Sequence, residues 1–233
     1  MSEARMADTP APAVPALPRR LLDTFFSPGK MVEAVAREPR WLGALLVSMV
    51  LVAISTALIP PELFAEVQRR AALQRGISPP PMSADTLRLI RIFSVAGGAL
   101  AIGIISFVIT GLYTLIFAFI LGDEGTYRQY LAVMTHAMVI PSLLSLGLVP
   151  LRIETGDPQF TLSVGSFLVF LEPGYVLNVF RLLDLTQFWS SAVVALGVHQ
   201  IDRRRGVGSA FAILFGFTLA VALIIARFLP TDR

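Results

Sequence analysis

At 233 residues, with 55% hydrophobic and 15% charged side chains and a mean hydropathy of +0.72, the chain is too apolar for an ordinary soluble domain. Its net charge of +3 arises from arginines and Lys30 scattered over loops, without the interleaved aromatics of a nucleic-acid surface, so no nucleic-acid partner is expected. The absence of cysteine excludes disulfides, thiolate nucleophiles and thiolate metal sites.

Residues 1–20 are rich in alanine and proline and lack the apolar stretch and small-residue cleavage site of a secretory signal, so they read as a disordered tail. Residues 21–38 then predict a short interfacial helix that Ser27 caps and Pro28 opens. Phe25, Phe26, Met31, Val32 and Val35 would touch lipid while Lys30, Glu33 and Arg37 stay wet; a cap over the bundle is the alternative. Trp41 stands where a headgroup-level anchor belongs.

Five apolar blocks follow, at residues 41–59, 95–121, 131–149, 186–201 and 210–229. None has an acidic group or arginine in its centre, and their lengths match the roughly 17 to 25 residues that cross hydrocarbon as a helix. The expected architecture is all-α: a polytopic membrane bundle of five transmembrane helices with amphipathic interfacial helices, over residues 21–229, before a short tail at 230–233. Pro60 and Pro61 stop the first block, residues 62–75 read as an amphipathic helix, and Pro79, Pro80 and Pro81 end it. Ser83 is placed to cap the next helix. Asp123, Glu124 and Gly125 form a tight turn that makes the second and third spans antiparallel neighbours. Pro141 predicts a kink in the third span, with a neighbour satisfying the carbonyl it frees. Residues 160–171 are too short to cross and fit a re-entrant or interfacial segment. With five spans, Arg203, Arg204 and Arg205 share a side with Lys30, Arg37 and Arg40, which places the N-terminus in the cytoplasm.

Two stripes of small residues mark candidate packing faces, because helices in lipid approach closely only where side chains are short. One is Ala99, Gly103, Ser106 and Thr110; the other is Gly208, Ala212, Gly216 and Ala220, read as an intramolecular face or as a homodimer face. Residues able to carry chemistry are few. His136 lies inside the third span, where an ionisable group is costly and tends to mark function, yet a neutral structural role suits a histidine without nearby acids. Asp184 and Arg181 are three apart and would pair on one helical face, with His199 at the far end of the same span. There is no zinc helix, phosphate loop or pair of intramembrane aspartates, so no catalytic residue, cofactor, metal or small-molecule substrate is expected.

Three stretches together carry a family resemblance. Phe25-Phe26-Ser27-Pro28 with Arg37-Glu38-Pro39-Arg40-Trp41 forms a proline-bounded helix before the membrane. Tyr127, Arg128 and Gln129 lead from a short loop into the third span, and residues 183–189 with Gly197, a basic turn and Ser209-Ala210 make up the last two. In these the chain resembles the five-span Ypt-interacting-protein (Yip) family in its bacterial branch. The resemblance implies a non-enzymatic multi-pass protein of the bacterial inner membrane, a scaffold or trafficking-type assembly factor; eukaryotic members associate with Rab-type GTPases, with each other and with curved membranes. Its partners would be the bilayer, other membrane proteins or a second copy of itself. Phe25, Phe26 and Trp41 are then interface anchors, with a transporter or channel as the alternative and an intramembrane enzyme, resting on His136, His199 and Asp184, as the third.

Overall fold

Residues 14–78 and 82–229 are described by the computed structural model, and every regular element among them is helical. The elements are α1 Leu17–Phe26, α2 Pro28–Arg37, α3 Leu42–Leu58, α4 Pro61–Gln74, α5 Ala84–Thr114, α6 Tyr127–Ala137, α7 Val139–Gly147, α8 Val149–Thr155, α9 Tyr175–Leu182, α10 Leu185–Ile201 and α11 Val207–Ile225. The last turns of α5 widen into a π-helix, Leu115–Ile120. Residues 1–13, the three prolines at 79–81 and the tail at 230–233 lie outside the described residues.

At the centre stands α6, every residue of which from Tyr130 to Ala137 is buried. A reciprocal capping box starts it: the Thr126 hydroxyl accepts from Gln129 N–H, and Gln129 Oε1 accepts from Thr126 N–H at 2.9 Å. The same Gln129 amide donates to Ala36 O at 2.9 Å, tying α2 to this helix. Around α6 pack α2, α5 and α10; α3 lies between α5 and α7, and α11 leans on α10. The core is formed by Met31, Val35, Phe117, Val133, Val198 and Leu214.

Pro141 has the anticipated effect. It cannot donate to Ala137 O and its ring crowds that carbonyl, so the helical run is interrupted at Met138, between α6 and α7, within the one stretch Tyr127–Gly147. Ser190 of α10 donates its hydroxyl to Ala137 O at 3.2 Å, the compensation a buried carbonyl in lipid requires.

The N-terminal expectations need correction. Helix begins at Leu17, so residues 17–20 are not tail, and residues 21–38 do not form one helix. Ser27 splits them, and as the N-cap of α2 it makes no side-chain capping bond. Nor does α2 turn its apolar face to lipid: Met31, Val32 and Val35 are buried against α6 and α10, so that face closes the bundle. An amphipathic face cannot say by itself whether lipid or protein will cover it. Further on, Ser83 caps α5 by accepting from Thr86 N–H at 3.2 Å, as its position predicts.

Among the described residues, three helical stretches are long and apolar enough to cross a membrane: Ala84–Ile120, Tyr127–Gly147 and Val207–Ile225. A fourth is reached if α3 and α4, bent by 81°, are counted as one broken span. Both α3 and α10 have 17 residues. Residues 160–171 do not span; they coil through a 3-10 turn, Val164–Phe167, held by Val164 N–H to Leu183 O and Leu185 N–H to Leu162 O, each 2.9 Å. Gly165 is needed there, because a Cβ would come within 2.7 Å of the Arg181 backbone nitrogen.

Candidate functional site

The three expected anchors are not equivalent. Phe26 projects from the fold at 82% exposure. Phe25 instead packs edge-on against Trp189 of α10, centroids 5.9 Å apart, and Trp41 does the same against Phe107 of α5 at 5.6 Å. Both rings therefore hold helices together as well as standing near the surface.

The two small-residue stripes also part company. On α5, Gly103, Ser106 and Thr110 are buried with Ala99 partly so, and the Gly103 backbone lets Met49 of α3 approach to 3.6 Å of where a Cβ would stand. On α11, Gly208, Ala212, Gly216 and Ala220 are all exposed, and added Cβ atoms at Gly208 and Gly216 would touch nothing. The intramolecular role expected of that stripe is corrected: α11 turns Ala210, Leu214 and Ala222 inward, with Phe215 against Phe188 of α10. A close helix crossing lies elsewhere, at Gly197 of α10, where a Cβ would fall 2.3 Å from Val133 Cγ1.

His136 is fully buried in α6, its Nδ1 2.7 Å from Ala132 O one turn back and its Nε2 without a hydrogen-bond partner. With Nδ1 donating to that carbonyl, the hydrogen bond of the ring stays within α6. Asp184 is the N-cap of α10, accepting from Thr186 N–H at 2.7 Å, while Arg181 belongs to the end of α9. The predicted one-face pairing of Arg181 with Asp184 is therefore corrected, since Leu183 ends one helix before the other starts. Asp184 instead lines a cavity of about 190 Å³ together with Arg152, Ser145 and Thr186; His136 and Glu172 are not on its walls. His199 is remote from His136, its Nδ1 2.7 Å from Arg205 O in the turn after α10. Among the described residues no three His, Cys, Asp or Glu side chains gather as metal ligands.

Sequence reasoning missed an ionic clasp between the turns before α6 and after α10. Arg205 donates Nε to Asp123 at 2.8 Å and Nη2 to its other oxygen at 2.5 Å, and Asp202 accepts from Glu124 N–H and Arg204 Nη2, both at 2.8 Å. The Asp123 side chain is largely covered by these contacts and Asp202 is buried. The hydrogen bond from Arg204, followed by the backbone N–H groups of Glu124 and Arg204, holds the Asp202 carboxyl well below the usual carboxylate range. Asp123 in turn raises the Arg205 guanidinium above its ordinary value. The signal available in the sequence was opposite charge in two loops expected at one end of the bundle.

A family model described as the Yip1 domain matches residues 22–227. The chain belongs to the Yip1 domain family. No curated protein and no solved structure matches it. Membership of the Yip1 domain family, together with the apolar helices, makes this a multi-pass membrane protein whose outer helix faces contact the bilayer. Within that Yip1 domain the buried polar groups are mostly engaged with backbone: Ser106 and Thr110 bond carbonyls of α5, and Thr135 and Ser142 bond those of α6 and Met138.

Proposed function

We propose that this Yip1-domain protein is a non-enzymatic scaffold or trafficking-type assembly factor. It crosses the cell membrane five times, through α3, α5, α6 with α7, α10 and α11, with its N-terminus in the cytoplasm. The observation that carries this reading is the outward stripe of Gly208, Ala212, Gly216 and Ala220, which leaves one face of α11 smooth and unobstructed. Helices in lipid associate through such faces, so a second helix, from another membrane protein or another copy, can lie close against it. Phe26 adds an interfacial contact outside the bundle. A transport or enzymatic role would call for His136 to meet solvent or substrate; its contact is to its own helix.

Because the native chain has no cysteine, Gly216→Cys provides a unique cross-linking site in native membranes. Oxidation is expected to yield a defined adduct there, and none at Ile104→Cys on the exposed face of α5. The same adduct should form when His136→Gln is added, since glutamine keeps both hydrogen-bonding roles. Adducts at Gly216→Cys no stronger than at Ile104→Cys would remove the scaffold reading.

A further inference from the structure

Between α5 and α11 the bundle is open, for these helices are not packed face to face. A groove of about 420 Å³ runs there, walled by Ile105 and Ile109 of α5, Val221 and Ile225 of α11, and Met138 and Gln187 behind. It ends at the edge-on contact of Tyr113 with Phe217, 6.3 Å between centroids. From Phe217 to Ile225 it follows α11 for about 12 Å, close to half the ~30 Å thickness of the hydrocarbon core. Met138 and Gln187 also line the 190 Å³ cavity, so groove and cavity lie next to each other at those two side chains.

That cavity holds one fixed cation and one fixed anion. Arg152 donates Nη1 to Ser145 Oγ at 3.0 Å and to Ser55 Oγ at 3.3 Å, and Nε to Phe160 O at 3.0 Å, and it stands on the cavity wall with Nη2 outside these bonds. Asp184 uses Oδ1 on Thr186 N–H and keeps Oδ2. The length of α10 separates Asp184 from the Asp202 clasp by about 27 Å, which puts Asp184 toward the headgroups on the far side of the bilayer from that clasp, with the cavity reaching inward to Met138 and Ile102.

We propose that groove and cavity form one site for a zwitterionic glycerophospholipid with a primary amine: its phosphate on Arg152, its ammonium on Asp184 and one acyl chain in the groove down to Tyr113 and Phe217. An acyl chain gains no hydrophobic free energy by leaving bulk lipid, so the groove selects by shape and dispersion alone. Discrimination among lipids rests with the charge pair. A phosphate takes the planar donors of an arginine, and an ammonium can donate hydrogen bonds to Asp184 where a quaternary amine cannot. The site is independent of the scaffold reading, since it lies on the other side of α11 from the exposed stripe.

The test is native mass spectrometry of the full chain released from vesicles containing equal phosphatidylethanolamine, phosphatidylcholine and phosphatidylglycerol. Wild type is expected to retain phosphatidylethanolamine about tenfold over either competitor, the ratio that one charge-assisted contact supports. Asp184→Asn keeps the helix cap, because asparagine caps as well as aspartate, and is expected to move the preference to anionic phosphatidylglycerol. Ile105→Trp fills the groove without touching either charge and should reduce retention of all three. Soluble phosphoethanolamine should not displace the lipid, since it lacks the chain. Equal retention of the three lipids by wild type, an unchanged preference in Asp184→Asn, undiminished retention in Ile105→Trp, or displacement by phosphoethanolamine would each overturn the proposal.

Discussion

Gly197 is the glycine whose site leaves least room for a side chain, because its missing Cβ lets α10 lie against Val133 of α6. Gly197→Ala would place a methyl 2.3 Å from Val133 Cγ1, so the helices must separate or Val133 must leave its rotamer. An overpacking cost of about 1–3 kcal/mol follows, and a melting curve in detergent should show it. Gly208→Ala, with open space around the new atom, should melt with or above wild type. Asp202 supplies the second prediction at this scale. Its folded pKa lies below its unfolded value near 4, so the stability it contributes is present at neutral pH and is lost as pH falls through the acid range. Asp202→Asn should therefore melt below wild type at pH 7, with the gap narrowing as the solution is taken below about pH 4. A gap that stays constant with pH would mean that the clasp does not act through ionisation.

Among the elements, α11 shows best how an apolar helix conceals its orientation. All its faces are lipid-compatible, so hydrophobicity does not rank them, and the regular four-residue stripe marks the face that points away from the bundle. Leu214→Ala, on the buried face, is expected to cost about 2–5 kcal/mol, whereas Gly216→Ile should leave the melting temperature of the isolated chain almost unchanged while weakening association in membranes. Thermal melts paired with cross-linking separate the two effects: a large loss of stability in Gly216→Ile would show that the stripe is packed after all. A similar ambiguity governed α2. Its apolar positions were legible, but the cover over them was the α6 and α10 surface, assembled from residues about a hundred or more positions away in the chain.

For the whole molecule, the clasp places the turn before α6 and the turn after α10 at one end, and α10 carries the chain to Asp184 at the other. Single cysteines at Glu124 and Gly206 should therefore react alike with a membrane-impermeant thiol reagent in intact cells, and those at Gln74 and Asp157 alike but oppositely. Glu124 is chosen over Asp123 because its side chain is 82% exposed and its loss spares the Arg205 pair. With the N-terminus in the cytoplasm, Gln74 and Asp157 label and the other two are protected; labelling at Gly206 would invert the topology. What the sequence determined by itself was the all-α membrane class, most helix limits, the Ser83 cap, the interruption at Pro141 and the family, since each depends on backbone chemistry, local spacing or bulk transfer into lipid. The tertiary structure alone decided that Ser190 satisfies Ala137, that Arg152 and Asp184 share a cavity, that His136 stands apart from both, and which side of α11 faces inward. Those outcomes are set by which side chains meet across helices, and one-dimensional periodicity carries no record of the partner.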